Sequence, residues 1–116
     1  MNFLFRKKKP SPAAGDAAVI AALKKHGVDL TQRRSVQHYL YFPREDEAQA
    51  AAAQLRSDGF DVEVKPAALG SSWLALATHN TVVDESTIAA LRARFEALVT
   101  PTAGEYDGWE AAVDAV

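Results

Sequence analysis

The sequence contains no cysteine. Disulfide bonds, thiolate metal sites and cysteine nucleophiles are therefore excluded, and the absence fits a cytoplasmic protein. The glycines are scattered singly, so there is no glycine-rich phosphate loop, and no serine lies in a nucleophile-elbow context. We therefore expect a protein without catalytic residues, cofactor or metal.

Long apolar runs are also missing. No stretch approaches the roughly 20 apolar residues of a membrane-spanning helix, and we expect no stable membrane insertion. The apolar residues 3–5 lie beside a basic run and could anchor transiently to a membrane, but one short apolar cluster binds a bilayer weakly. We therefore predict a disordered basic leader over residues 1–15 and a single domain over residues 16–116.

The formal charge of −2 conceals an uneven distribution. Four of the 13 basic residues lie together at positions 6–9, and the other nine stand against 15 acidic residues, so the body carries a formal charge of −6. From Glu105 onward there are four carboxylates and no Lys or Arg. Phosphate binding needs a basic surface, so we expect no direct contact with nucleic acid.

Hydrophobic periodicity divides the body into helical and strand segments. Asp16 is expected to cap the first helix, and Gly59 to end the second. The predicted elements are a helix over 17–26, a strand over 36–42, a helix from 45 to the residue before Gly59, strands over 60–65 and 73–79, a helix over 84–99 and a short strand around 105–109.

This order predicts an α+β fold of the ferredoxin-like type, a sandwich in which helices cover one face of an antiparallel sheet. The helix over 17–26 is an addition to that arrangement. Alternation in the first strand predicts that Val36, His38, Leu40 and Phe42 face inward, and the second helix is expected to turn inward Ala48, Ala51, Ala52 and Leu55. The strand over 73–79 is ambiguous, because Leu74 and Leu76 compete for the core with Trp73, Ala75 and Ala77.

Two histidines form a secondary candidate site. His38 and His79 lie toward the same end of strands that the topology makes antiparallel neighbours, so they are expected to approach each other, with Glu105 or Asp107 as a third member. Two histidines and a carboxylate can bind a metal or transfer protons. Hydrogen-bonded structural histidines are far commoner, and we expect no metal here.

Tyr39 and Tyr41 form another secondary candidate on the open face of the sheet. Aromatic side chains on an open sheet are used by RNA-recognition domains to stack bases. However, Asp61 and Glu63 share that face and repel phosphate. Packing in a homodimer or plain β-propensity explains the two tyrosines better.

The segment 104–110 concentrates aromatic and acidic residues after the last helix. Asp107-Gly108 is a dipeptide typical of turns. One interpretation places Trp109 in a gap beside the last helix. The other makes the segment an acidic, aromatic edge that binds a protein partner, with these candidate residues: Glu105, Tyr106, Asp107, Trp109 and Glu110.

With these residues in view, the chain resembles the regulators of ribonuclease E activity, type B (RraB). The run Glu105-Tyr106-Asp107-Gly108-Trp109 is similar to the most recognisable run of that family. Supporting features are the histidine-bearing strand over 36–42, the helix that ends in Asp58-Gly59-Phe60, and the helix before the run. The resemblance covers about residues 16–113.

The resemblance implies a small cytoplasmic α+β protein that binds an endoribonuclease and lowers its cleavage of RNA, without catalysis or cofactor. For the enterobacterial members, the resemblance implies highly acidic proteins with long carboxylate-rich tails. This chain instead carries a basic leader and ends at Val116. The leading hypothesis is therefore a protein-binding regulator. The alternative is a ligand- or RNA-binding module that uses the open face around Tyr39 and Tyr41.

Overall fold

The computed structural model describes residues 4–6, 12–68 and 70–116, with side chains described from residue 15 onward. In chain order its elements are β1 (Leu4–Arg6), α1 (Pro12–Lys25), β2 (Arg34–Phe42), α2 (Glu45–Ser57), β3 (Asp61–Pro66), β4 (Trp73–Thr81), α3 (Glu85–Val99) and β5 (Glu105–Ala112).

The strands form one antiparallel sheet in the order β1-β5-β2-β4-β3. From β2 to β5 the chain runs strand–helix–strand–strand–helix–strand, the order of the split βαβ arrangement. The three helices pack against one face of the sheet, where they enclose two adjoining apolar clusters. The predicted α+β class is thus confirmed, as is the strand role of residues 105–109.

Burial along β2 alternates strictly. Val36, His38, Leu40 and Phe42 face the helices, and the residues between them face outward, as predicted from the period of two. α2 also buries the predicted residues, which are Ala48, Ala51, Ala52 and Leu55. The small alanine side chains allow the helix to lie close to the sheet, so local sequence and packing agree here.

The pairing of β4 resolves its ambiguous pattern. Trp73, Ala75 and Ala77 lie opposite Phe42, Leu40 and His38 of β2 and therefore face the helices. Leu74 and Leu76 lie opposite Tyr41 and Tyr39 and face outward. The outer face consequently has an apolar centre.

The N-terminal predictions need correction. α1 begins at Pro12, not at residue 17, because proline is well suited to the first turn of a helix. Asp16 lies inside α1 and its carboxylate contacts the core, so it is not the helix cap. Residues 4–6 form a strand on the edge of β5, so the leader is not disordered throughout. Residues 12–15 belong to α1, and residues 1–3 and 7–11 lie outside the described chain.

Candidate functional site

β5 contains a β-bulge that decides which of its side chains are accessible. Tyr106 lies opposite Leu40 and Trp109 opposite His38, so two residues of β5, Asp107 and Gly108, oppose Tyr39 alone. Residues three apart in a regular strand point to opposite faces. The extra residue, with Gly108 at φ 105°, turns both Tyr106 and Trp109 toward the helices.

Tyr106 and Trp109 are accordingly buried, with 4% and 0% of their surface exposed. A partner therefore has no access to the aromatic pair, and this part of the predicted binding edge is corrected in favour of the packing interpretation. The predicted turn at Asp107-Gly108 is wrong as well, because the glycine's positive φ is used by the bulge inside a strand. Glu105, Asp107 and Glu110 remain on the outer face.

Trp109 is fixed by a buried carboxylate. Its Nε1 donates a hydrogen bond to Oδ1 of Asp16, at 2.8 Å. Asp16 also accepts two hydrogen bonds from Arg92, from Nε at 2.8 Å and from Nη2 at 2.9 Å. The guanidinium of Arg92 lies 4.9 Å from the ring centre of Tyr106, within cation–π distance. One ion pair thus connects α1, α3 and both aromatic residues of β5.

A second chain of polar contacts joins Tyr106 to the histidines. The Tyr106 hydroxyl is 2.9 Å from Nδ1 of His38, and Nε2 of His38 is 3.1 Å from Nε2 of His79. The predicted approach of His38 to His79 is therefore confirmed. Their third partner is a phenol from the inner side of β5, whereas Glu105 and Asp107 lie on the opposite face of the sheet.

Burial controls the protonation of this chain. It lowers the pKa of His38 well below its ordinary value, with the positive charges of His79 and Arg92 acting in the same direction. Burial and then Arg33 lower the pKa of His79 to about 4. Burial also raises the pKa of Tyr106. At neutral pH all three groups are therefore uncharged.

The surroundings of the histidine pair are aromatic. The ring centre of His38 is 4.4 Å from that of Phe95, and the ring centre of His79 is 4.4 Å from that of Phe60. Among the described residues, no group of three His, Cys, Asp or Glu side chains could hold a metal ion. The contacts that are present fit a structural hydrogen-bond chain.

The outer face is organised in three rows that cross the sheet from β3 through β4 and β2 to β5. Cross-strand pairing defines the rows as Lys65–Leu74–Tyr41–Glu105, then Glu63–Leu76–Tyr39 with Asp107 at the bulge, then Asp61–Thr78–Gln37–Glu110. We call the positions on β3 and β5 the rims and the positions on β4 and β2 the central stripe. Beyond the β5 rim lies β1, which pairs Arg6 with Glu110. Five of the six rim residues are acidic, and their formal charge with Lys65 is −4.

Sequence reasoning missed two of these features. Glycine inside a strand pattern is a known signal for a bulge, so the bulge at Gly108 could have been found from the alternating residues around it. The pairing of Asp16 with Arg92 spans 76 residues and has no local signal.

Within the described residues, none of the helices has the length and apolar character that crossing a membrane requires.

Comparison of the sequence with known protein families gives a match. The model of a protein family described as regulator of ribonuclease activity B matches residues 13–111. The match begins inside α1 and extends through nearly all of β5, so it includes both histidines, the Asp16–Arg92 pair and the bulge. No curated protein matches the sequence.

Proposed function

Since the chain belongs to the family of regulators of ribonuclease activity B, we propose that it binds an endoribonuclease of the ribonuclease E type and lowers its cleavage of RNA. The family match over residues 13–111 carries the regulatory role. Three further points are part of the proposal: which nuclease is bound, that RNA cleavage is lowered rather than raised, and that the protein acts in the cytoplasm.

The regulator acts by binding rather than by catalysis. Of the three groups in the histidine chain, His38 and Tyr106 are buried and bonded to each other, and the partly buried His79 is bonded to His38. A general acid or base must reach its substrate within hydrogen-bond distance. Their burial among Phe60 and Phe95 supports a role in holding β2, β4 and β5 together.

The proposed contact surface includes the acidic rim of β5, made of Glu105, Asp107 and Glu110. These residues project from a strand whose other face is locked into the core by Tyr106 and Trp109. A rigid backbone presents charges at fixed positions, which favours electrostatic guidance of a basic partner surface. The protein partner is therefore expected to be basic where it touches the chain.

RNA itself fits this surface poorly. Tyr39 and Tyr41 do lie on the outer face, but acidic rims flank them on both sides. Phosphates would be repelled at five of the six rim positions. The RNA-binding alternative is therefore not adopted.

Reconstitution with purified components tests the proposal. A ribonuclease E-type endoribonuclease from the source cell is assayed on a fluorescent RNA while the chain is added in increasing amounts. We expect the cleavage rate to fall to a plateau, and the chain to bind the nuclease but not the RNA in separate titrations. An unchanged cleavage rate, or inhibition that follows from capture of the RNA, would contradict the proposal.

A further inference from the structure

We propose that the chain forms a two-fold dimer in which β3 pairs antiparallel with β3 of a second copy, so that two five-stranded sheets join into one. This inference goes beyond the proposed function and does not depend on it. It is carried by three observations: the position of β3 in the sheet, the direction of its backbone hydrogen-bonding groups, and the order of charges along it.

β3 is an edge strand of the described sheet. β4 pairs with one side of it, and no described strand pairs with the other, which we call the open side. In an antiparallel pair, successive residues direct their backbone groups alternately toward the neighbouring strand and away from it. The amide of Ala67 donates to the carbonyl of Ser72 at 2.9 Å, in continuation of the β3–β4 register. Counting back in steps of two, Asp61, Glu63 and Lys65 also bond to β4.

Val62, Val64 and Pro66 therefore direct their backbone groups to the open side. An independent contact agrees with this assignment, because Nη2 of Arg56 in α2 donates to the carbonyl of Val62 at 2.7 Å. Proline has no N–H to donate. The open side thus presents the amides of Val62 and Val64 and the carbonyls of Val64 and Pro66, while Arg56 caps the carbonyl of Val62.

These backbone groups complement a second copy of the strand in one register. With Val64 opposite Val64 of the second copy, the two residues exchange both backbone hydrogen bonds, and each Val62 amide donates to the carbonyl of Pro66 across the junction. The Val62 carbonyl then faces the proline nitrogen, which has no proton to donate. It needs none, because Arg56 already donates to it. Every outward backbone group between residues 62 and 66 is satisfied in this register.

The charges on β3 favour the same register. Glu63 and Lys65 are exposed on the outer face, and the register places each Glu63 opposite Lys65 of the second copy. Cross-strand pairs of opposite charge stabilise a sheet, and like charges directly opposite destabilise it. Sliding the strands by two residues in either direction brings Glu63 opposite Glu63, or Lys65 opposite Lys65. Charges and proline commonly protect an edge strand from pairing, but here their order fits a second copy.

α2 provides a second contact across the junction. It packs on β3 and β4, so with strands about 4.8 Å apart the two copies of α2 would lie roughly 10 Å from each other. Packed helices are separated by about 8–10 Å. The side of α2 that reaches past β3 carries Arg56 and, one turn earlier, the exposed Ala53. A small side chain at that position permits the two helices to approach.

Sedimentation velocity over a concentration series tests for the dimer. The interface is short, so we expect self-association at protein concentrations of about 0.1–1 mM. The chain should pass from monomer to dimer without larger species, because a two-fold pairing closes on itself. A chain that stays monomeric at about 1 mM, or that forms open-ended oligomers, would overturn the proposal.

Charge reversal tests the pairing of Glu63 with Lys65. Glu63→Lys and Lys65→Glu each place like charges opposite each other across the two-fold axis, and each should weaken the dimer at least about tenfold. An equal mixture of the two variants should recover it, because every lysine then faces a glutamate. Asp114→Lys is the matched control, an equal change of charge at an exposed residue beyond β5, and should leave the dimer intact. Failure of the mixture to dimerise, or weakening by the control, would sink the idea.

Cross-linking tests the register, since the chain has no cysteine of its own. Residues opposite each other at non-hydrogen-bonded positions of antiparallel strands have Cα atoms about 4.5 Å apart, within the range that a disulfide spans. A mixture of Glu63→Cys and Lys65→Cys chains should therefore oxidise to a covalent dimer much faster than either variant alone. Equal rates for the mixture and the single variants would contradict this register and, with it, the proposed dimer.

Discussion

The indole of Trp109 and the carboxylate of Asp16 are separated by 93 residues in sequence and lie 2.8 Å apart, inside the fold. This contact connects the last strand to the first helix. Arg92 of α3 completes it with a bidentate ion pair whose two side chains are only 12% and 10% exposed. The carboxylate therefore organises three elements that are remote in sequence.

Trp109→Ala should lower the free energy of unfolding by about 3–5 kcal/mol, as large aromatic truncations in cores do. The loss combines a cavity between α1 and the sheet with the loss of one of the three hydrogen bonds that Asp16 accepts. Denaturant unfolding followed by circular dichroism measures it. Trp73→Ala is the matched control, since Trp73 is only partly buried at the end of β4 and should cost less. If both variants lowered the free energy of unfolding equally, Trp109 would not be the more important of the two tryptophans for stability.

Asp16→Leu should cost about 3–5 kcal/mol, because it leaves the Arg92 guanidinium inside the protein without its main partner. Glu96, 3.4 Å from Arg92 and largely exposed, can recover only part of that loss. Adding Arg92→Met should restore stability, since an apolar pair of similar volume often replaces a buried ion pair. A double-mutant cycle by chemical denaturation checks this, and simple additivity of the two losses would show that the pair is not coupled.

The histidine chain should make the protein acid-sensitive in a defined window. The pKa of His79 lies at about 4, below its ordinary value of 6.5. Between pH 4 and pH 6.5, His79 is therefore protonated in the unfolded chain and neutral in the folded protein. The free energy of unfolding should therefore be insensitive to this group above pH 6.5 and fall as the pH drops toward 4. His38, whose pKa burial also lowers, adds to the same trend.

Unfolding curves of His79→Gln and wild type across that pH range measure the contribution. The variant should show a shallower loss of stability on acidification, whatever its stability at pH 7. The matched control is His26→Gln, which removes an exposed histidine outside the histidine chain. Parallel curves for wild type and His79→Gln would refute the assignment.

Glu105→Gln combined with Asp107→Asn should change the free energy of unfolding by less than about 0.5 kcal/mol, as surface substitutions usually do. The same variant should slow association with the basic partner, and the difference should shrink at high salt, because exposed charges are screened within about 10 Å at 0.1 M. Stopped-flow binding at two salt concentrations tests it. If this variant unfolds as readily as Trp109→Ala, the two carboxylates belong to the fold instead of a recognition surface.

Much of the architecture follows from local pattern. β2 alternates so regularly, and α2 carries so many small inward residues, that period and composition were sufficient to place them. β1 was missed because three residues are too few to show a period, and its pairing depends on an edge that β5 provides. The role of Asp16 was missed because a helix-capping residue and a buried ion-pair partner are the same residue type, and only tertiary contact distinguishes them.

The bulge at Gly108 divides β5 into two halves of opposite parity. Before it, even-numbered side chains enter the core, and after it odd-numbered ones do. Without the bulge but with every residue kept, a regular strand that holds Tyr106 inward would turn Trp109 outward and Glu110 inward, exposing an indole and burying a carboxylate. The bulge is thus what allows two aromatic residues three positions apart to share the core while Asp107 and Glu110 share the outer face.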